Sequence, residues 1–113
     1  MNDKNYRYHH VGIPYVIPKE GEVYLEEYKI FHCGYEESEF GIEWMRYEDD
    51  CPLPDIVKKL PHIAFEVDDI YEAIKGRKVI LEPNSPSPGN IVAFVEENGA
   101  PIEFIQINRN TKS

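Results

Sequence analysis

A short pattern that occurs twice constrains this chain more than any other feature. His10-Val11-Gly12-Ile13 near the N-terminus and His62-Ile63-Ala64-Phe65 in the second half both read histidine, apolar, small, apolar. A second echo joins Gly41-Ile42-Glu43-Trp44 to Pro101-Ile102-Glu103-Phe104, each with a glutamate between isoleucine and an aromatic. Such repetition points to two copies of one supersecondary unit. Each copy opens on a strand bearing a histidine and closes on a strand bearing a glutamate. With 113 residues there is room for one domain with one shared core, not for two independent ones. The copies must therefore pack on each other, which places two imidazoles and two carboxylates around one point.

Taken in order, the chain divides into module one at about 7–48, a linker at 49–60 and module two at about 61–107, all inside a single domain spanning 1–113. Period-two alternation and β-branched or aromatic content predict strands over 7–13, 28–33, 42–48, 62–67, 78–81, 90–96 and 102–107. The stripe Val23, Tyr24, Leu25 and Tyr28 predicts a short helix over 20–27. A second helix is expected after Asp69, whose carboxylate stands at a capping position ahead of Glu72, with Gly76 as its stop. Residues 55–60 fit a helical turn. Three prolines and Gly89 make 82–89 a loop, read as a connection, and Asn98-Gly99 marks a hairpin.

Charge and cysteine content narrow the function classes. A formal net charge of −9 opposes binding to a nucleic-acid backbone, which attracts basic surfaces. No apolar run approaches a membrane span and the first residues lack a signal peptide's apolar core, so a cytoplasmic protein is expected. Cys33 and Cys51 are too few and too far apart in sequence for a disulfide scaffold or a CxxC pair, and are read as reduced thiols.

Strands suit metal binding, because alternate side chains project to one face and a curved sheet makes that face converge. His10, Glu43, His62 and Glu103 are the candidate ligands, of types that a divalent ion accepts. Met45 and Tyr47 share the face of Glu43 and are expected to line a substrate pocket, with Arg46 on the other side. His9 is expected on the face opposite His10, as a surface or packing residue. The neighbouring pair His32-Cys33 is given no catalytic role.

These motifs resemble the vicinal oxygen chelate superfamily, which includes glyoxalase I, methylmalonyl-CoA epimerase, extradiol dioxygenases and bleomycin-resistance proteins. The likeness is carried by His10-Val11-Gly12-Ile13, Ile42-Glu43-Trp44, the run from Pro61 to Ile70, and Pro101-Ile102-Glu103-Phe104-Ile105. It implies an α+β fold of two paired βαβββ modules forming a curved half-barrel sheet, with the first module shortened where its long helix and one strand are trimmed. It also implies a divalent metal ion (Zn, Ni, Co, Mn or Fe) held by His10, Glu43, His62 and Glu103. In the glyoxalase-like branch, a lyase, isomerase or epimerase moves a proton next to a carbonyl of a small substrate with adjacent oxygens, and Glu43 or Glu103 would be the base. The alternative within the same fold is a non-catalytic small-molecule binder of the bleomycin-resistance kind. A shortened module leaves sheet edge exposed, so a homodimer is expected.

Overall fold

The repeated tetrapeptides form the two strands at the middle of one sheet. In the computed structural model, which describes residues 6–108, β1 (Arg7–Pro14) and β5 (His62–Glu66) run antiparallel, with His10 opposite Ala64 and Gly12 opposite His62. From this centre the sheet grows outward in the same way on both sides. On one side β1 pairs in parallel with β4 (Ile42–Tyr47), followed by β3 (Ile30–Cys33) and β2 (Val23–Leu25). On the other, β5 pairs in parallel with β8 (Ala100–Ile107), followed by β7 (Asn90–Glu97) and β6 (Lys78–Asn84). The duplication extends to the register, since Gly12 faces Glu43 and Ala64 faces Glu103. Eight strands thus make one mixed sheet curled into a half-barrel, with two short helices, α1 (Asp55–Lys59) and α2 (Ile70–Ala73).

Among the described residues, only module two carries a helix on its outer face. The Asp69 carboxylate caps α2 by accepting from the backbone N–H of Tyr71 at 3.1 Å and of Glu72 at 3.4 Å. Ile70 and Ala73 then bury against Ala93, Val95 and Phe104. Residues 20–27, expected as a helix, instead supply β2 and a turn. Val23, Tyr24 and Leu25 pair with His32, Phe31 and Ile30, and the Tyr24 and Phe31 rings lie 4.6 Å apart. Cross-strand pairing outweighs a weak helical stripe that Gly21, at φ +86°, would in any case interrupt. An irregular strap takes the helix's place. Its Tyr15 ring meets Trp44 edge-on, Lys19 Nζ lies 4.8 Å over the indole, and Arg46 grips Glu22 through two hydrogen bonds of 2.6 and 2.8 Å.

Two other segments depart from expectation. Within 82–89, read as loop, residues up to Asn84 belong to β6, Pro83 included. The strand is the outermost of its side and its register slips twice, the second time between Leu81 and Asn84, where Pro83 falls, so its missing N–H is tolerated there. The linker is no free tether either. Cys51, Leu53 and Val57 are buried against Ile30 of module one and Phe94 of module two. Both cysteines are free. Asn98 (φ +51°) and Gly99 (φ +84°) make the tight hairpin between β7 and β8. Among the described residues, no helix is long and apolar enough to cross a membrane.

The strap gives the fold an acid-sensitive joint. Hydrogen bonds from Arg46 foremost, and from Tyr15, hold the Glu22 carboxyl at about 2, against an ordinary value of 4.5. A carboxyl with a lowered folded-state pKa favours folding above its unfolded value, and that contribution disappears as pH falls towards the folded one. Glu22→Gln is therefore expected to lower the urea midpoint at neutral pH. The gap from wild type should close between pH 4.5 and about 2. A gap that stays constant across this range would contradict the assignment.

Candidate metal centre

The inner faces of both halves converge on one cavity of about 220 Å³. Glu43, Met45 and Tyr47 reach it from β4, Glu103 and Ile105 from β8, His10 from β1 and His62 from β5. His10, His62 and Glu103 each offer a ligand atom there, all within 4.8 Å of one another. Glu103 Oε1 lies 3.1 Å from His62 Nε2 and 3.5 Å from His10 Nε2.

These groups fit a cation. His62 is only 2% exposed, and neither of its ring nitrogens has a hydrogen-bond partner among the described residues. Its Nε2 comes within 3.1 Å of Glu103 Oε1 without the geometry of a hydrogen bond. A buried imidazole with both nitrogens unpaired is costly unless something else is to be bound. Two imidazoles and a carboxylate are a familiar donor set for Zn²⁺ and the divalent ions around it. The His62 ring is held by Phe94, edge-on at 5.1 Å, and by Gly12 beneath it. A Cβ on Gly12 would stand 2.2 Å from His62 Cε1 and 2.7 Å from Nε2. The glycine is required by the ring above it, since its own φ is ordinary.

The charges of the group reinforce one another. Burial alone would raise the Glu103 carboxyl, but the imidazoles of His10 and His62 close beside it hold it well below the usual carboxylate range. Burial would likewise lower His10, and the carboxylates of Glu103 and Glu43 outweigh it to raise that imidazole. The pocket is thus arranged to hold positive charge beside Glu103.

Glu43 stands apart from the other three. Its Oε1 lies 3.7 Å from His10 Nε2, while its Oε2 is held at 2.8 Å by His32 Nδ1. The carboxylate therefore adjoins the cluster without joining it. Met45 and Tyr47 both line the cavity. Tyr47's hydroxyl is buried and has no hydrogen-bond partner among the described residues.

Two histidines enter the site against expectation. His9 lines the same cavity as His10, because the β1–β5 register slips between Tyr8 and His10 and inserts His9 as a bulge. Its ring stacks on Tyr35 at 5.3 Å, and its Nδ1 lies 2.7 Å from His10 Nδ1. One proton serves both nitrogens. For His10 Nε2 to bind a cation that proton must sit on His10 Nδ1, donated to His9. His9 can accept it, since burial and the neighbouring His10 push its pKa down and keep the ring neutral. His32, given no role from sequence, faces the cavity because it pairs with Met45 across β3 and β4. Cys33 lies on the other face, 3.7 Å from the Tyr15 hydroxyl. From the segment read as an idle connection, Pro86 also lines the cavity.

Similar architecture is found among solved structures. The chain superposes on a hypothetical protein from Bacillus halodurans C-125 with a TM-score of 0.71 at 21% identity, covering 97% of this chain and 100% of that one. It superposes on methylmalonyl-CoA epimerase from Mycobacterium tuberculosis with a TM-score of 0.63 at 15% identity, covering 89% and 87%. No family model and no curated protein matches the sequence. At these identities what is shared is the half-barrel fold.

Proposed function

We propose that this chain is a metal-dependent enzyme of the vicinal oxygen chelate superfamily, which moves a proton next to a carbonyl in a small substrate with adjacent oxygens. The observation that carries this reading is the buried His10–His62–Glu103 group, with the unpaired nitrogens of His62 at its centre. The epimerase fold shared with the mycobacterial structure supports the same reaction type. A divalent ion held by these three residues would polarise both substrate oxygens as a Lewis acid.

The chain's own residues divide the remaining work. Glu103 is a ligand, since its oxygen lies between two imidazoles. Glu43 is the base. It borders the cluster and keeps Oε1 on the side of His10 while His32 fixes Oε2. Apolar side chains from Met45, Val92, Phe94 and Ile105 wall the cavity in which that proton would move.

Metal analysis of tag-free protein tests this. Wild type loaded with Zn, Ni, Co, Mn or Fe should retain one equivalent of ion after gel filtration, and His62→Ala should retain none. Wild type that holds no ion under any of these loadings would remove the basis of the proposal.

A further inference from the structure

Charge around the cavity says what kind of molecule it accepts. Among the described residues lining it there is no lysine or arginine. The two that stand directly between lining residues in sequence are both committed elsewhere, Arg46 to Glu22 and Lys29 to Asp50. Two carboxylates, Glu43 and Glu103, do line it. Their charge balances one divalent ion, so no net positive charge remains to draw in a substrate carboxylate or phosphate. In a buried setting an uncompensated anion is strongly disfavoured.

Shape and polarity add two further limits. A volume of about 220 Å³ is below the roughly 300–1,000 Å³ of ordinary small-molecule pockets. Its walls are mostly apolar, from Met45, Leu53, Val92, Phe94 and Ile105. Of the two tyrosines on those walls, Tyr28 gives its hydroxyl to Asn84. Tyr47 gives its hydroxyl to no described residue, although the oxygen is buried. Burial first, and then the charge of Glu103, push the Tyr47 phenol above its ordinary value, so it stays a donor at all working pH. A buried donor with no acceptor is explained when a ligand brings the acceptor.

We infer that the site takes an uncharged, compact molecule with adjacent oxygens and a short apolar tail, of the hydroxyketone class, and that Tyr47 donates a hydrogen bond to one of those oxygens. This rests on the metal-centre reading and goes beyond it. It sets the site apart from one built for an acyl group bearing its own carboxylate.

Acetoin and lactate provide the test, because they have nearly the same shape and differ in charge. Both would be titrated calorimetrically into the Zn-loaded wild type and the Zn-loaded Tyr47→Phe variant, with bound zinc measured in each. Acetoin is expected to bind wild type at least about tenfold more tightly than lactate. Tyr47→Phe should weaken acetoin binding by up to about tenfold, the worth of one hydrogen bond, while zinc content stays at one equivalent. Equal or tighter lactate binding, no effect of Tyr47→Phe, or binding of neither compound at the solubility limit would overturn the inference with the metal centre intact. Failure to load zinc or any other divalent ion would overturn the metal-centre reading and this one together.

Discussion

Gly12→Ala is expected to abolish tight metal binding although it changes no ligand. The new methyl group would stand 2.2 Å from His62 Cε1, a separation that no packing tolerates. Either the imidazole swings away from His10 and Glu103 or β1 and β5 separate where Gly12 and His62 face each other. The second route breaks the central strand pair, so the ring is what moves. Altering residues that orient a ligand commonly costs about 10–100-fold in metal affinity, and displacing the ligand itself should reach or pass the upper figure. Overpacking should cost about 1–3 kcal/mol of stability, which the fold can be expected to survive. The equivalent position in module two gives the control. Ala64 faces His10 as Gly12 faces His62, and Ala64→Gly only removes a methyl. It should cost about 0.5–1 kcal/mol and leave metal affinity within a few-fold. Chelator competition and thermal melts on both variants decide the matter. Undiminished affinity in Gly12→Ala would show that the His62 ring does not sit where it must to bind.

The same pair of residues shows why so much of the site was legible in the sequence. His10 and His62, like Glu43 and Glu103, occupy equivalent places in a duplicated unit, and parity along a strand carries them to one face. What parity cannot show is where it fails. His9 enters the cavity through an inserted residue, and the only sign of it is that His9-His10 doubles the histidine where module two has Pro61-His62. His32 could have been found, but only by fixing the hairpin register that sets it opposite Met45. Neighbours in sequence say nothing about neighbours across a ladder. The same gap explains 20–27, where β3 decides that Val23–Leu25 is a strand. It also explains Pro83, whose place in β6 depends on the strand being outermost. Local patterns give the faces of elements; cross-strand partners decide which elements exist at their margins.

Glu43 and Glu103, alike in sequence context, should separate completely in their variants. Glu103→Gln replaces an anionic oxygen that lies 3.1 and 3.5 Å from two imidazole nitrogens. It leaves His10 and His62 without the charge that balances a cation, so metal affinity should fall by at least about 100-fold. Glu43→Gln removes a charge bordering the cluster but none of the three donors that lie within 4.8 Å of one another. Metal content should therefore stay at one equivalent. The reaction should nonetheless fail, because an amide cannot accept the proton, and loss of a general base costs about 10²–10⁴-fold. Deuterium uptake from D₂O at acetoin's hydroxyl-bearing carbon, followed by NMR with zinc-loaded protein, reads that step without requiring the natural substrate. Wild type should exchange, and Glu43→Gln should exchange slowly with its metal in place. If Glu43→Gln instead loses metal as Glu103→Gln does, Glu43 is a fourth ligand and His32 holds a ligand, not a base. If it keeps both metal and exchange, the proton leaves by another route, and the division of labour between the two carboxylates is wrong.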